Sequence, residues 1–365
     1  MLFKYCHIQI HYHYLHHSLF LVVTSQFKQK EKAQSIMAPN TTFDADFLGY
    51  AAAHPHLAPV SGPPNDVQDM RDRTNAYITK CALQFPMSEN IIETKHAVSS
   101  HDGVDISVHE FSRKDWAPSI EPQPAILYIH GGGLVACPVD TVCRPLMARF
   151  ATDSGLRTFG VDYRLAPEHP YPTPAEDCYA ALQWIVKNAA VLKVDPGRIG
   201  LFGTSAGALL AASVSLLARD RAFSPPIAKQ ILIYPMLDDR SSVTHFNPLS
   251  ARDQSFKNWI TSMDMCWDSY IGADKRGKSD ADVSPYAVPA RATDLAGLPS
   301  TYIDIGSLDW FRDEALEFSA KLAKADVEVE LHLYTGLPHC FDIIAPTIPI
   351  TISAWQNRLR AIKGI

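Results

Sequence analysis

The sequence has no Cys-x-x-Cys pair, and its seven cysteines, at positions 6, 81, 137, 143, 178, 266 and 340, are scattered and odd in number. That pattern argues against a disulfide framework and for reduced thiols in a cytoplasmic setting. A long apolar run is missing near the N-terminus. Ser18 to Val23 is too short to cross a bilayer. With no small-x-small cleavage site it also makes a poor signal peptide, so stable membrane insertion is not expected. Charge of one sign is missing too. The 33 Lys and Arg against 39 Asp and Glu leave a formal −6, with no basic stripe, so nucleic acid is not an expected partner. His11, His13, His16 and His17 lack a carboxylate or cysteine at finger or helical spacing, and no metal is expected there. No internal repeat is visible.

What is present is the material for a large core. The chain has 365 residues, 47% of them hydrophobic, which suits one large α/β domain with insertions or two domains. Residues 1–36 differ from the rest and are expected to be a disordered extension or an artefact of gene-start assignment, because Met37 opens a normal-looking start. Two runs, Ile91 to Ser99 and Val104 to Arg113, flank "SHDG" and predict a hairpin. From Ala125 onward, strands alternate with helices. "AILYIH", "RTFGVDYR", "RIGLFG", "KQILIYP", "STYIDIG" and "EVELHLY" are nearly continuous apolar runs, and helical stretches fall at about 173–190, 206–220 and 312–325. Such strands suit a parallel sheet covered on both faces, and the order implies a doubly wound, mostly parallel sheet. Residues 238–290 break the rhythm with polar residues and scattered aromatics, Phe246, Phe256, Trp259, Trp267 and Tyr270. Long insertions of this kind are usually functional. Together with residues 37–90 they are expected to form a helical cap over a catalytic domain of residues 91–365.

One octapeptide carries the first chemical signal. "FGTSAGAL", residues 202–209, places Ser205 between Gly203 and Gly207, where an apolar strand gives way to an Ala- and Leu-rich helix. A sharp turn there would lift the serine hydroxyl above the strand ends, and bulky neighbours would collide with strand and helix. This is the Gly-x-Ser-x-Gly nucleophile elbow. The following helix would aim its free N–H groups and positive end at the site.

A serine nucleophile needs an oxyanion hole, a base and an acid. The sequence His130-Gly131-Gly132-Gly133 directly follows an apolar strand. Three glycines leave N–H groups uncovered, and Gly132, Gly133 and Ala206 are the expected donors, with His130 propping the loop. The base should come late in the chain. His339 sits in a loop marked by Gly336 and Pro338, whereas His332 lies inside an alternating strand. The acid should follow the preceding strand. Asp304 lies within the apolar run and Asp313 in a first helical turn, which leaves Asp309.

These residues resemble the hormone-sensitive-lipase-like esterases of the α/β-hydrolase fold. The matches are His130 to Gly133, the block "DYRLAPEHPYPTPAEDCYAAL" from Asp162, "GTSAG" at the elbow, "DWFRDEA" from Asp309 and "GLPHCF" around His339, covering about residues 90–345. The resemblance implies Ser205 as nucleophile, Asp309 as acid and His339 as base. The largest branch has Asp where Thr204 stands, so the elbow is closer to the Gly-Thr-Ser-Ala-Gly branch. Trp310-Phe311 also departs from the more frequent Asp-Pro-Leu-Arg-Asp acid motif and bears on substrate preference. Arg164 and Glu168 are expected to form an ion pair or hydrogen bonds behind the glycine loop. The expected activity is hydrolysis of short-chain carboxylic esters, with a small-molecule ester as partner and no metal or cofactor. A homodimer is compatible with this reading. An amidase, formamidase or lactonase would use the same parts. A non-catalytic receptor of the same fold would lack the base, and His339 argues against it.

Overall fold

The computed structural model describes residues 42–60, 62–115, 121–241 and 254–365, with no side chains for 254–260. The expected N-terminal extension and Phe246, and the side chains of Phe256 and Trp259, lie outside the described residues.

Eight strands form one sheet: β1 (Ile91–Ser99), β2 (Asp105–Arg113), β3 (Gln123–Ile129), β4 (Arg157–Asp162), β5 (Val194–Thr204), β6 (Lys229–Ile233), β7 (Ser300–Gly306) and β8 (Val329–Tyr334). Their order is β1-β2-β4-β3-β5-β6-β7-β8. The β1–β2 and β2–β4 pairs are antiparallel, and the other pairs are parallel. Every strand from the sequence reading is present. The central ones are apolar because both faces are covered: Ile126, Leu127, Ile129, Leu201, Ile231, Leu232 and Ile303 are fully buried. Burying each such side chain favours folding by about 1.5–3 kcal/mol.

The longer helices are α1 (Ala45–Ala53), α2 (Val67–Ala82), α3 (Arg144–Ser154), α4 (Thr173–Lys187), α5 (Ala206–Asp220), α6 (Gln254–Ile271), α7 (Arg312–Lys324) and α8 (Pro349–Lys363). Local chemistry sets their ends. Asp44 and Asp66 cap α1 and α2 by accepting the N–H of Phe47 and Asp69. Gly155 ends α3 in the left-handed region. Asp313 and Glu314 open α7, and Lys321 and Lys324 close it, matching the helix dipole. The residues of α5 from Ala206 to Ala218 are all buried, so this Ala- and Leu-rich helix is the central packing element.

The parallel register decides where the site forms. Ile129 pairs with Gly203, Thr204 with Ile233, Ile233 with Asp304, and Gly306 with Tyr334. The C-terminal ends of β3, β5, β6, β7 and β8 therefore lie along one edge of the sheet, the usual ligand side of an open α/β fold. His130, Ser205 and Tyr234 come directly off three of those ends, and Asp309 and His339 off the turns after the other two.

Candidate active site

Ser205 stands at φ 54° and ψ −120°, between β5 and α5. A non-glycine residue rarely adopts this backbone, and the strain is held by its surroundings. The Ser205 N–H donates to Ile233 O at 2.9 Å, and the Ser205 carbonyl accepts from Ala208 and Met236. Glycines are required on both sides because a Cβ on Gly203 would strike the Gly207 carbonyl, and one on Gly207 would strike the carbonyls of Ile129 and His130. The turn is thus locked against the end of β3.

Three side chains from distant parts of the chain converge here. His339 Nε2 lies 3.0 Å from Ser205 Oγ, and its Nδ1 lies 2.7 Å from Asp309 Oδ2. The other Asp309 oxygen accepts the N–H of Phe311 at 2.9 Å, which fixes the carboxylate. With Nδ1 donating to Asp309, Nε2 is left to accept the proton of Ser205. Burial is the largest single influence and opposes a charge on His339, but the Asp309 carboxylate and the adjacent Cys340 together outweigh it and hold the imidazole pKa well above its ordinary value. The ring is walled by Tyr234, Phe311 and Trp310, with centroids 4.7, 5.2 and 5.2 Å away.

The glycine loop runs past the same hydroxyl. Gly132 and Gly133 have φ of 111° and 63°, a backbone that side chains disfavour. A Cβ on Gly131 would lie 3.2 Å from Ser205 Cβ, so the loop touches the serine. Among the described residues no protein acceptor takes the N–H of Gly132 or Gly133. Ala206, as the first helical residue, has no intrahelical acceptor for its N–H. Three free donors beside a serine, a histidine and an aspartate in line make an arrangement able to add a hydroxyl to a carbonyl and hold the oxyanion.

Comparison with known proteins places the chain. It matches a family described as alpha/beta hydrolase fold over residues 126–343. It is 34% identical over 262 residues to esterase LipI of Mycobacterium tuberculosis, spanning 68% of this chain and 76% of that protein. It is 33% identical over 273 residues to carboxylesterase NlhH of the same organism, spanning 72% and 80%. The solved structure of a bacterial heroin esterase superposes with a TM-score of 0.75 at 33% identity, covering 88% of this chain and 97% of that one. A hyperthermophilic esterase from the archaeon Pyrobaculum calidifontis gives 0.72 at 28% identity, covering 88% and 98%. The chain is a hormone-sensitive-lipase-like α/β hydrolase.

Within this hydrolase, His130 is fully buried and supports the loop. Its ring stacks on Tyr163 with centroids 4.2 Å apart, and its Nδ1 lies 2.8 Å from Gly131 O. The Tyr163 hydroxyl donates to the His130 carbonyl at 2.9 Å. Burial holds the His130 pKa below its ordinary value against the nearby Asp162, which keeps the ring neutral. The competing residues have other partners. His332 contacts Glu330 at 2.6 Å, Asp313 pairs with Arg312, and Asp304 is buried against Arg358.

For Arg164 and Glu168 the expectation of an ion pair or hydrogen bonds holds only in its second form. Arg164 and Glu168 do not pair with each other. Arg164 bonds Asp177 and Asp102, whereas Glu168 bonds Arg71 of α2. Four residues apart in a non-helical stretch, their side chains leave the backbone towards different neighbours.

The sequence reading also missed the supports of the glycine loop. Arg71 donates from Nε to Val135 O at 2.6 Å and from Nη2 to Ala166 O at 2.9 Å, and Asn75 Oδ1 accepts the N–H of Cys137 at 2.7 Å. Arg71 and Asn75 are four apart on α2, the spacing of one helix face. That face was legible, but its target some sixty residues later was not. Cys266 of α6 sits where a Gly133 side chain would be, and burial pushes its thiol up to about 12, so it stays protonated.

Proposed function

We propose that this hydrolase cleaves carboxylic esters of small molecules through an acyl-enzyme on Ser205. The observation that carries the reading is the unbroken line Asp309–His339–Ser205, with hydrogen-bond distances of 2.7 and 3.0 Å. Relatives named as esterases and a carboxylesterase support an ester over an amide substrate.

In the proposed cycle, Ser205 Oγ attacks the ester carbonyl carbon as His339 Nε2 takes its proton. Negative charge moves to the carbonyl oxygen, where the N–H groups of Gly132, Gly133 and Ala206 receive it. The tetrahedral species collapses, the C–O bond to the alcohol breaks, and His339 returns the proton to the departing oxygen. A water then attacks the acyl-enzyme, giving its proton to the same nitrogen. Collapse releases the acid and restores the serine. Asp309 stays ionised and keeps the Nδ1 proton in place throughout.

The acyl side is proposed to be short. Residues 37–90 and 238–290 are taken as the cap, and two of its helices, α2 and α6, meet through Met70 and Cys266, whose sulfurs are 3.8 Å apart. Trp267 and Tyr270 are buried in the core rather than spread as an exposed apolar face for lipid. Each acyl methylene gains about 0.8 kcal/mol only while there is wall to touch. Rates on p-nitrophenyl esters should therefore peak at about four to six carbons and fall about tenfold or more by about twelve. The test is that chain-length series, with fluorophosphonate labelling of Ser205 and parallel assays on lactones and N-formyl amides. A profile still rising at long chains overturns the short-acyl reading. Faster turnover of the amides or lactones overturns the ester assignment.

A further inference from the structure

Helix α2 belongs to the proposed cap, yet one of its polar faces ends on the glycine loop. Peptide planes set the loop's two donors, because a trans peptide points its C=O and the next N–H in opposite directions. The Gly131 carbonyl is held by His130 Nδ1 at 2.8 Å, which turns the Gly132 N–H the other way. The Gly132 carbonyl accepts the N–H groups of Val135 and Ala136 at 3.2 and 3.0 Å, which turns the Gly133 N–H out of that turn. The Gly133 donor is therefore only as well placed as the turn of residues 132–136 is rigid. That turn is a strained one. Leu134 and Cys137 stand at φ 68° and 69°, a backbone that side chains disfavour and that surrounding contacts must hold. Leu134, Val135 and Ala136 are fully buried, so their backbone polar groups need protein partners.

Helix α2 supplies those partners. Arg71 Nε donates to the Val135 carbonyl at 2.6 Å, and Asn75, one helical turn on, accepts the Cys137 N–H at 2.7 Å. Arg71 Nη2 donates to the Ala166 carbonyl at 2.9 Å, and the Ala166 N–H donates to the Leu134 carbonyl at 3.0 Å. One guanidinium thus ties the turn to the segment beside it. Glu168 accepts from Nη1 and Nη2 at 2.8 and 2.6 Å and orients the fork. We infer that Arg71 and Asn75 are positioning residues of the oxyanion hole, which from the cap fix the turn that aims the Gly133 N–H. Neither touches the reacting atoms. The cap helix then acts on turnover itself and not only on which ester enters. The inference rests on the ester chemistry proposed for Ser205.

Kinetics on p-nitrophenyl butyrate and binding of a trifluoromethyl ketone test it in the full chain. The Ser205 O–H adds across the ketone carbonyl, oxygen to carbon, His339 takes the proton, and the ketone oxygen becomes the anion that the hole receives. Arg71→Leu should lower kcat by about 10- to 100-fold, less than the roughly 10²–10³ of a deleted donor, with KM within about threefold. Ketone affinity should weaken by the same factor as kcat/KM. Asn75→Leu should lose about tenfold, whereas Asn75→Asp keeps an acceptor oxygen for the Cys137 N–H and should stay within about threefold of the parent. Glu168→Gln leaves both Arg71–carbonyl bonds and should also stay within about threefold. Circular dichroism and melting curves check folding, and rates are taken per folded molecule. If Arg71→Leu does not fold, the two Asn75 variants decide by the same readouts. A lower melting temperature with kcat and ketone affinity unchanged would make both residues scaffold and overturn the inference. A raised KM at constant kcat would make Arg71 a pocket wall, and Glu168→Gln as damaging as Arg71→Leu would assign the effect to the ion pair, and either result overturns it equally. A parent enzyme that neither hydrolyses the ester nor binds the ketone overturns the ester reading first, and this inference with it.

Discussion

Strand β7 and the turn after it carry two buried carboxylates five residues apart, with opposite roles. Asp304 is held by Arg358 Nε and Nη2 at 2.6 and 2.9 Å and by the Tyr302 hydroxyl at 3.0 Å. Arg358 also bonds Asp342, three residues after His339, at 2.5 Å. Asp309 is held by a backbone N–H and by His339. An arginine does not lose its proton in a protein, so the Asp304 pair is fixed scaffold. A histidine does, and its second nitrogen faces a hydroxyl, so the Asp309 pair can move a proton. The partner decides which carboxylate is able to take part in a proton transfer.

The sharpest test of that division is Ser205→Ala, which removes the hydroxyl that the Asp309 pair faces through His339. Esterase activity should fall by about four orders of magnitude or more at unchanged fold. Survival within tenfold of the parent rate would remove the serine assignment. Asp309→Asn should cut turnover by about three to four orders, because an amide favours the wrong tautomer of His339, while KM stays near the parent value.

Arg358→Met probes the other carboxylate. It leaves Asp304 and Asp342 buried without their cation and should lower unfolding stability by about 3–5 kcal/mol in urea titrations. Turnover per folded molecule should fall far less than in Asp309→Asn. Unchanged stability, or a loss of turnover as large as that of Asp309→Asn in a chain of parental stability, would break the comparison.

A smaller effect lies in the pH profile. Only neutral imidazole accepts the serine proton, and against the lowering effect of burial Asp309 first and then Cys340 raise the His339 pKa. The rate should therefore rise with pH, with a midpoint above the ordinary histidine value of about 6.5. In Asp309→Asn the largest raising influence is gone while burial remains, so the residual activity should show a lower midpoint. Profiles of kcat/KM for both proteins check this, and a midpoint that moves upward contradicts it. The least effect is expected for Asp313→Asn. Its carboxylate meets Arg312 at the surface, and rate and stability should stay within about twofold and about 1 kcal/mol.

Some of this was readable without coordinates. Strand positions follow from apolar runs, because a strand covered on both faces admits little else. The elbow and the glycine loop follow from backbone geometry, because only glycine tolerates the close approach at 203 and 207 or the positive φ at 132 and 133. Chain order then narrowed the choice to His339 and Asp309, 30 residues apart and meeting at 2.7 Å. Helices α3 and α8 were not assigned in the sequence reading, although both pack against the sheet.

By itself the sequence determined what each short segment prefers to be: strand, turn, helix start, or a place where two backbones touch. Those preferences are local and act within a few residues. Only the tertiary structure decided the partners. Arg71 met Val135 and Glu168, Arg164 met Asp177, Asp304 met Arg358, and His109 was set beside Asp140 and Asp162. A charged side chain carries no record in its own segment of which opposite charge the packed sheet will bring within 3 Å. Where the pair is buried, as for Asp304 and Arg358, burial then forces it to form, because an unpaired charge in a dry interior is too costly to keep.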